Sequence, residues 1–352
     1  MKRLLVVLIV VAFSVIACDE DNGLGSNSNA GDVYVYMTDY QSAALGSFTV
    51  GDSAIGLIPL NELHTDATIR IHNNRVYIIE RMGKDAIIVL DPANPTVPVA
   101  NYSVGNGTNP QDMVFVNDNA YVLRHNTPNI LVIDPATGDS TGTVDLSSVA
   151  DADGVPEMVD GLLVGNTLYV VCQLLDQTQW FAPSGPGKVV AINTANGEIA
   201  SVCDLTIENP ESIIERNGTL YVTGGSWYDL ATTGIDVFEI GQTQSSRLTA
   251  GAALSGRPTS IVSAGSQNEA WAVVSQTWPN GVVYGIDLTT GAIVDSLAGL
   301  GSPAQLVRSG AALIVSDRGE TTSGVYVFDA TSGDALHVRI VTPLTPDALA
   351  AF

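Results

Sequence analysis

The residues best suited to chemistry are a spaced set of carboxylates and a separate set of aromatic rings. Asp112, Glu157, Glu211 and Asp347 each lie one or two residues after a proline (Pro110, Pro156, Pro210, Pro346), and Gln305 holds the same place after Pro303. Oxygen donors converging from several segments would hold a hard cation such as Ca²⁺. These four acids are therefore the candidate metal ligands, and a divalent-cation-dependent hydrolase or lyase is one reading of the chain. The rings are Trp180 and Phe181, Trp227 and Tyr228, and Trp278, in long stretches without strand patterning. Exposed Trp and Tyr are typical anchors of a binding surface. Arg124, His125 and Arg318 stand at comparable places and complete the candidate binding set. His64, His72, His125 and His337 show no spacing suited to zinc or copper. No Gly-x-Ser-x-Gly elbow, Walker loop or dinucleotide fingerprint is present. With no clustered nucleophile or base, no catalytic residue is assigned, and the balance favours a binding scaffold without a cofactor.

What must position these groups is a repeat. A strand ending in Tyr-Val or a near equivalent recurs at Tyr34, Tyr77, Tyr121, Tyr169, Tyr221, Trp271 and Leu313, at intervals of about 42 to 52 residues. That is the period of propeller blades. Each unit reads as four short strands rich in Val, Ile, Leu and Tyr, bounded by Asn, Asp, Gly and Pro. The turn between third and fourth strands recurs as Asp134 to Gly138, Asn193 to Gly197, Asp287 to Gly291 and Asp329 to Gly333. Its Asp or Asn can hydrogen-bond the local backbone, and its Gly supplies positive φ, so these residues are structural. First strands begin near Thr68, Pro110, Pro156, Pro210, Pro258, Pro303 and Pro346, and the chain ends on the last of them. The expected fold is all-β, a seven-bladed β-propeller over residues 31–352, closed by the C-terminal strand pairing with Val33 to Met37 and so removing the exposed sheet edge.

In such a ring, the loops entering first strands and leaving second strands share one face. The carboxylates open first strands on that face, and the rings fall there on insertions after Cys172, Thr223 and Ser275. Long loops on a rigid scaffold are where binding usually resides. The alternative role for the rings is to cap apolar blade ends. Cys172 and Cys203 fall on the second and fourth strands of one blade, roughly 9 to 10 Å apart at a strand spacing of about 4.8 Å. Both are expected as free, buried thiols.

The first residues lie outside the fold. Met1-Lys2-Arg3 is a basic n-region, and Leu4 to Ile16 is an apolar run too short for an ordinary span. Val15-Ile16-Ala17-Cys18 resembles the lipobox of bacterial lipoproteins. The resemblance implies a signal peptide over 1–17, cleavage before Cys18, and lipidation of that residue, which holds a protein on a membrane without a spanning helix. Residues 18–30 read as a lipidated flexible tether of Asp, Asn, Gly and Ser, with a reach of about 20 Å. The expected location is the cell envelope, on the periplasmic or cell-surface side. The formal charge of −23 argues against nucleic acid and against electrostatic docking on anionic lipid.

Thr219-Leu220-Tyr221-Val222-Thr223-Gly224, preceded by Asn209-Pro210-Glu211-Ser212-Ile213, is similar to the Tyr-Val-Thr-Asn repeat of bacterial propellers. NHL-type and quinoprotein-like propellers are next nearest. Pyrroloquinoline-quinone propellers usually carry a Trp soon after the turn glycine, and Gly138, Gly197, Gly291 and Gly333 are followed by none. The departure counts against a quinone. Propeller lactonases hold a cation on a comparable ring of acids. For the scaffold reading, the partners implied are the membrane, through Cys18, and a protein, peptide or glycan.

Replacing Cys18 by Ser should abolish incorporation of labelled palmitate and move the protein from the membrane to the soluble fraction. Retention of both label and membrane association would refute the lipobox reading.

Overall fold

The computed structural model describes residues 31–226, 229–266, 268–337 and 339–352. Seven antiparallel sheets surround a central channel, so the chain is a seven-bladed β-propeller. The first strands, which line the channel, are Ala67–His72, Pro110–Val116, Met158–Val164, Pro210–Arg216, Arg257–Ser263, Pro303–Ser309 and Pro346–Ala351. Second strands run outside them, from Val33–Thr38 in the first blade to Ala312–Asp317 in the seventh. Six sheets have four strands. The seventh has three, with Val325–Ile340 and Phe328–Ala335 bridges along its outer edge.

Closure occurs as the strand count requires. Pro346–Ala351 pairs antiparallel with Val33–Thr38, from Val33 opposite Ala351 to Met37 opposite Pro346, and the Phe352 N–H donates to the Asp32 carbonyl at 2.9 Å. The described chain therefore enters the ring at the face opposite the one where second strands end.

Apolar burial is distributed rather than central. The described core residues form seven clusters, each shared by two neighbouring blades. The repeated aromatic supplies this contact: Tyr34, Tyr77, Tyr121, Tyr169, Tyr221 and Trp271 are all buried, each facing the next blade. Tyr221 donates through its hydroxyl to the Leu288 carbonyl at 3.3 Å, and Trp271 through Nε1 to the Ala330 carbonyl at 2.7 Å. In each case the acceptor follows the turn aspartate of the next blade.

The seventh blade corrects the expected repeat. Pro303 pairs with Asp317, which makes Ile314, not Leu313, the equivalent of the tyrosines. Ile314 faces the first blade, while Leu313 faces back to the sixth. Side chains alternate faces along a strand, so a one-residue slip reverses every contact.

The recurrent turns are built as expected. Asp134, Asn193, Asp287 and Asp329 accept through their side chains from backbone N–H groups two residues on, at 2.8 to 3.0 Å. Gly138, Gly197, Gly291 and Gly333 have φ between 70° and 80° and donate back to the same residues' carbonyls. Cys172 and Cys203 are free and buried.

A chain ending at Thr345 would leave Val33–Thr38 with an open edge on the channel. It should lose its cooperative thermal transition or associate through that edge. An unchanged melt of a monomer would show that closure is dispensable.

Candidate functional site

The channel wall has a repeated irregularity near the mouth where second strands end. Six of the seven first strands carry a bulge one or two residues after their start; only Ala67–His72 runs without one. The bulged residues are Gln111, Val159, Glu211, Thr259, Ala304 and Asp347, and all six line the channel or the pocket beside it. A bulge leaves one residue outside the ladder and re-aims its neighbours. In three of the six, the residue after the bulge then reaches the next blade. Asp112 accepts from the Gly161 N–H at 3.0 Å, Asp160 from the Ile213 N–H at 3.0 Å, and Gln305 from the Leu349 N–H at 2.6 Å. Each donor immediately follows the corresponding residue of the next blade. At Gly161 the blades approach so closely that an added Cβ would meet Val114 Cγ2 at 2.6 Å.

These acids are not gathered into one ligand set. Asp112 is buried and pairs with Arg70 at 2.6 Å. Asp160 lies 3.8 Å from the same guanidinium, and burial with the neighbouring Asp112 charge pushes its carboxyl up to about 7, partly offset by Arg70. Glu211 pairs with Arg257, and Asp347 with Arg318 at 2.8 Å. Burial raises Glu211 above the ordinary carboxylate range, against the opposing pull of Arg257. Among the described residues, no three His, Cys, Asp or Glu side chains come together as a metal-binding group. Asp112, Glu211 and Asp347 of the proposed carboxylate ring are instead each paired with a different arginine. Arg70, Asp160 and Arg257 had no distinguishing sequence signal beyond their place in first strands; the bulge that turns them toward one another is invisible to patterning.

Glu157 has a different place. It is fully buried with φ of 46°, and its carboxylate accepts from the Leu175 N–H and from Gln177 Nε2, both at 2.9 Å. It therefore fixes the base of the long loop that follows Cys172, and the first strand of the fourth blade begins at Met158 rather than at Pro156. That loop contains a small hairpin, Leu175–Asp176 against Ala182–Pro183, around a turn at Gln177–Gln179. Asp153 secures it from the previous connection by accepting from the Gln177 N–H at 2.8 Å.

The hairpin carries two of the predicted rings to its tip. Trp180 is 96% exposed and Phe181 48%, both in left-handed backbone with φ near 60°. The Phe181 ring leans over His125 of the previous blade at 5.9 Å between centroids. His125 contacts Gln173 Oε1 at 3.3 Å and Asn126 Oδ1 at 2.9 Å, and burial lowers its pKa from the ordinary imidazole value. Trp278, two blades on, is 75% exposed. Trp227 and Tyr228 lie outside the described residues. Neither Trp180 nor Trp278 caps an apolar blade end.

Arg124 and Arg318 part company. Arg124 donates to the Asn129 and Val104 carbonyls and is directed into the blade edge rather than the mouth. Arg318 is at the mouth, paired with Asp347, donating to the Tyr40 hydroxyl at 2.6 Å and lying over the Tyr40 ring at 5.6 Å. Tyr40, 58% exposed, was missed in the sequence because it lies on a short loop with no insertion. The channel cavity measures about 780 Å³, with Arg81, Gln111, His125, Gln173 and Arg318 in its lining. A second pocket of about 240 Å³ opens beside it beneath Trp278.

No family model and no curated protein matches the chain. Solved structures share its fold. A protein named a candidate 6-phosphogluconolactonase from Bacteroides fragilis is 12% identical with a TM-score of 0.66, over 92% of this chain and 99% of that one. AztD from Citrobacter koseri is 11% identical with a TM-score of 0.54, over 91% and 97%. BamB from Moraxella catarrhalis is 13% identical with a TM-score of 0.52, over 95% and 89%. The likeness is one of fold.

Burial pushes the Glu157 carboxyl up to about 8 against the lowering effect of its two hydrogen bonds, while an unfolded Glu titrates at an ordinary value. Between those values the folded state holds a proton that the unfolded state lacks, so this group makes stability fall as pH rises from about 5 to 8. Its slope is at most about 1.4 kcal/mol per pH unit. Glu157→Gln should reduce the slope of urea-unfolding stability across that window, leaving the dependence due to other shifted groups, among them Asp160 and Glu211 in the same direction and His125 in the opposite one. An unchanged slope would contradict the assignment.

Proposed function

We propose that this protein is a lipid-anchored envelope propeller of the Tyr-Val-Thr-Asn type that acts as a non-catalytic binding scaffold. Cys18 supplies the anchor, and the channel-mouth face supplies the contact. The observation that carries the reading is the exposure of Trp180 and Trp278 on that face, beside Phe181 and Tyr40. Large rings held in water by a rigid scaffold lose solvent on binding and little conformational freedom, which is why such residues dominate interfaces. The acids that a hydrolase would need for a cation are each engaged by an arginine or by loop amides instead. The partner is a protein, peptide or glycan met at this face.

Crosslinking in the native envelope followed by mass spectrometry tests the reading. Replacing Trp180, Trp227 and Trp278 by Ala should abolish the crosslinked partner while changing unfolding stability by no more than about 1 kcal/mol. Undiminished crosslinking, or a large loss of stability, would assign these rings a structural role and overturn the proposal.

A further inference from the structure

The pocket beneath Trp278 has a more specific chemistry than the face around it. Its polar lining includes Thr259, Ser275, Gln276, Asn280 and Ser302. No hydrogen bond within the described residues engages these five side chains, and each is partly or fully exposed. The main chain here is occupied: the Gln276 N–H donates to the Asn280 carbonyl at 2.9 Å, Gly281 to Gly301 at 3.1 Å, and Arg318 to Ser302 at 2.9 Å. Recognition therefore falls to side-chain amides and hydroxyls, not to the main-chain ladder by which an extended peptide adds to a sheet.

Charge narrows the choice further. Glu211 and Arg257 neutralise one another on the pocket wall, and Arg318 is neutralised by Asp347. An ionic ligand would have to displace an existing partner, and a polyanion would meet the field of a chain with formal charge −23. What remains is an uncharged ligand with many hydroxyls and one apolar face. A β-linked gluco-configured pyranose has this form. Its axial C–H bonds can lie against the Trp278 indole, while its equatorial hydroxyls radiate toward groups that both donate and accept. At about 240 Å³ the pocket is smaller than the roughly 300 to 1,000 Å³ typical of drug-sized ligands, and suits one ring. It shares Glu211, Thr259, Ala304 and Arg318 with the channel, so further rings of an oligosaccharide could continue into the mouth.

We infer that the Trp278 pocket is a subsite for one pyranose ring of a neutral β-linked oligosaccharide. The inference rests on the binding-scaffold reading and names its ligand class.

The test is titration of the full chain in detergent with cellohexaose and hexa-N-acetylchitohexaose, followed by calorimetry. Hexagalacturonic acid and hexalysine serve as charged comparators. At least one neutral hexasaccharide should bind with a Kd of about 1 mM or tighter. Trp278→Ala and Asn280→Ala should each weaken it at least tenfold, with thermal melts unchanged. Asn280 is exposed and makes no internal side-chain hydrogen bond, so its variant reports on the site even if Trp278→Ala perturbs its own loop. No binding of either neutral sugar, binding unaffected by both variants, or binding of a charged comparator alone would overturn the subsite. If the sugars fail but envelope crosslinking still depends on the three tryptophans, the subsite falls and the scaffold reading stands. If crosslinking is also independent of them, both fall.

Discussion

The pairing of Pro346–Ala351 with Val33–Thr38 is the contact on which the rest of the molecule depends. A propeller has no central core; its apolar surface is buried blade against blade, in seven separate clusters. Each cluster needs both of its blades. An open ring would leave the two terminal interfaces unsupported and a strand edge exposed on the channel. Closure makes every interface equivalent and fixes the channel radius. Only with that radius fixed can bulged first strands hold acid–arginine pairs to within a hydrogen-bond length across neighbouring blades.

The charges of the mouth follow from this geometry. The bulges remove the ladder partner of a residue near the entrance of six strands, and at Asp112, Asp160 and Gln305 the side chain after the bulge bonds to the next blade. Where that side chain is an aspartate, it must also be neutralised. Arg70 serves both Asp112 and Asp160. Removing one partner of such a buried set leaves an uncompensated charge, so these pairs are conformational fixtures first. What they leave at the surface is a mouth whose fixed charges largely cancel and whose free chemistry lies in amides, hydroxyls and rings.

The fold was legible because its signals are local and repeated: strand alternation, the Asp-x-x-x-Gly turn and a count of strands that ended on an unpaired first strand. The Tyr-equivalent of the seventh blade was misread by one residue because Leu313 and Ile314 are both aliphatic, and only pairing with Pro303 distinguishes them. The candidate site was legible in part. Loop length marked Trp180 and Trp278, whose exposure is a consequence of lying at loop tips. Arg124 looked like Arg318, since each ends or follows a second strand, yet one bonds backbone carbonyls and the other faces the mouth. That difference arises from neighbouring blades and leaves no trace in local sequence. Glu211 and Asp347 line the channel, whereas Asp112 is buried between blades, and the arginine partners of all three come from other blades, distant in sequence.

The direction in which the first described strand enters the ring sets the posture of an anchored molecule. The chain arrives at Val33 on one face, and Trp180 and Trp278 stand on the other. A tether attached at Cys18 would therefore leave the mouth pointing away from its own bilayer, with the thickness of the propeller between them. On the proposed anchor, the headgroups of that membrane lie on the far side of the ring, and a partner would reach the mouth from the facing compartment or from an opposing surface.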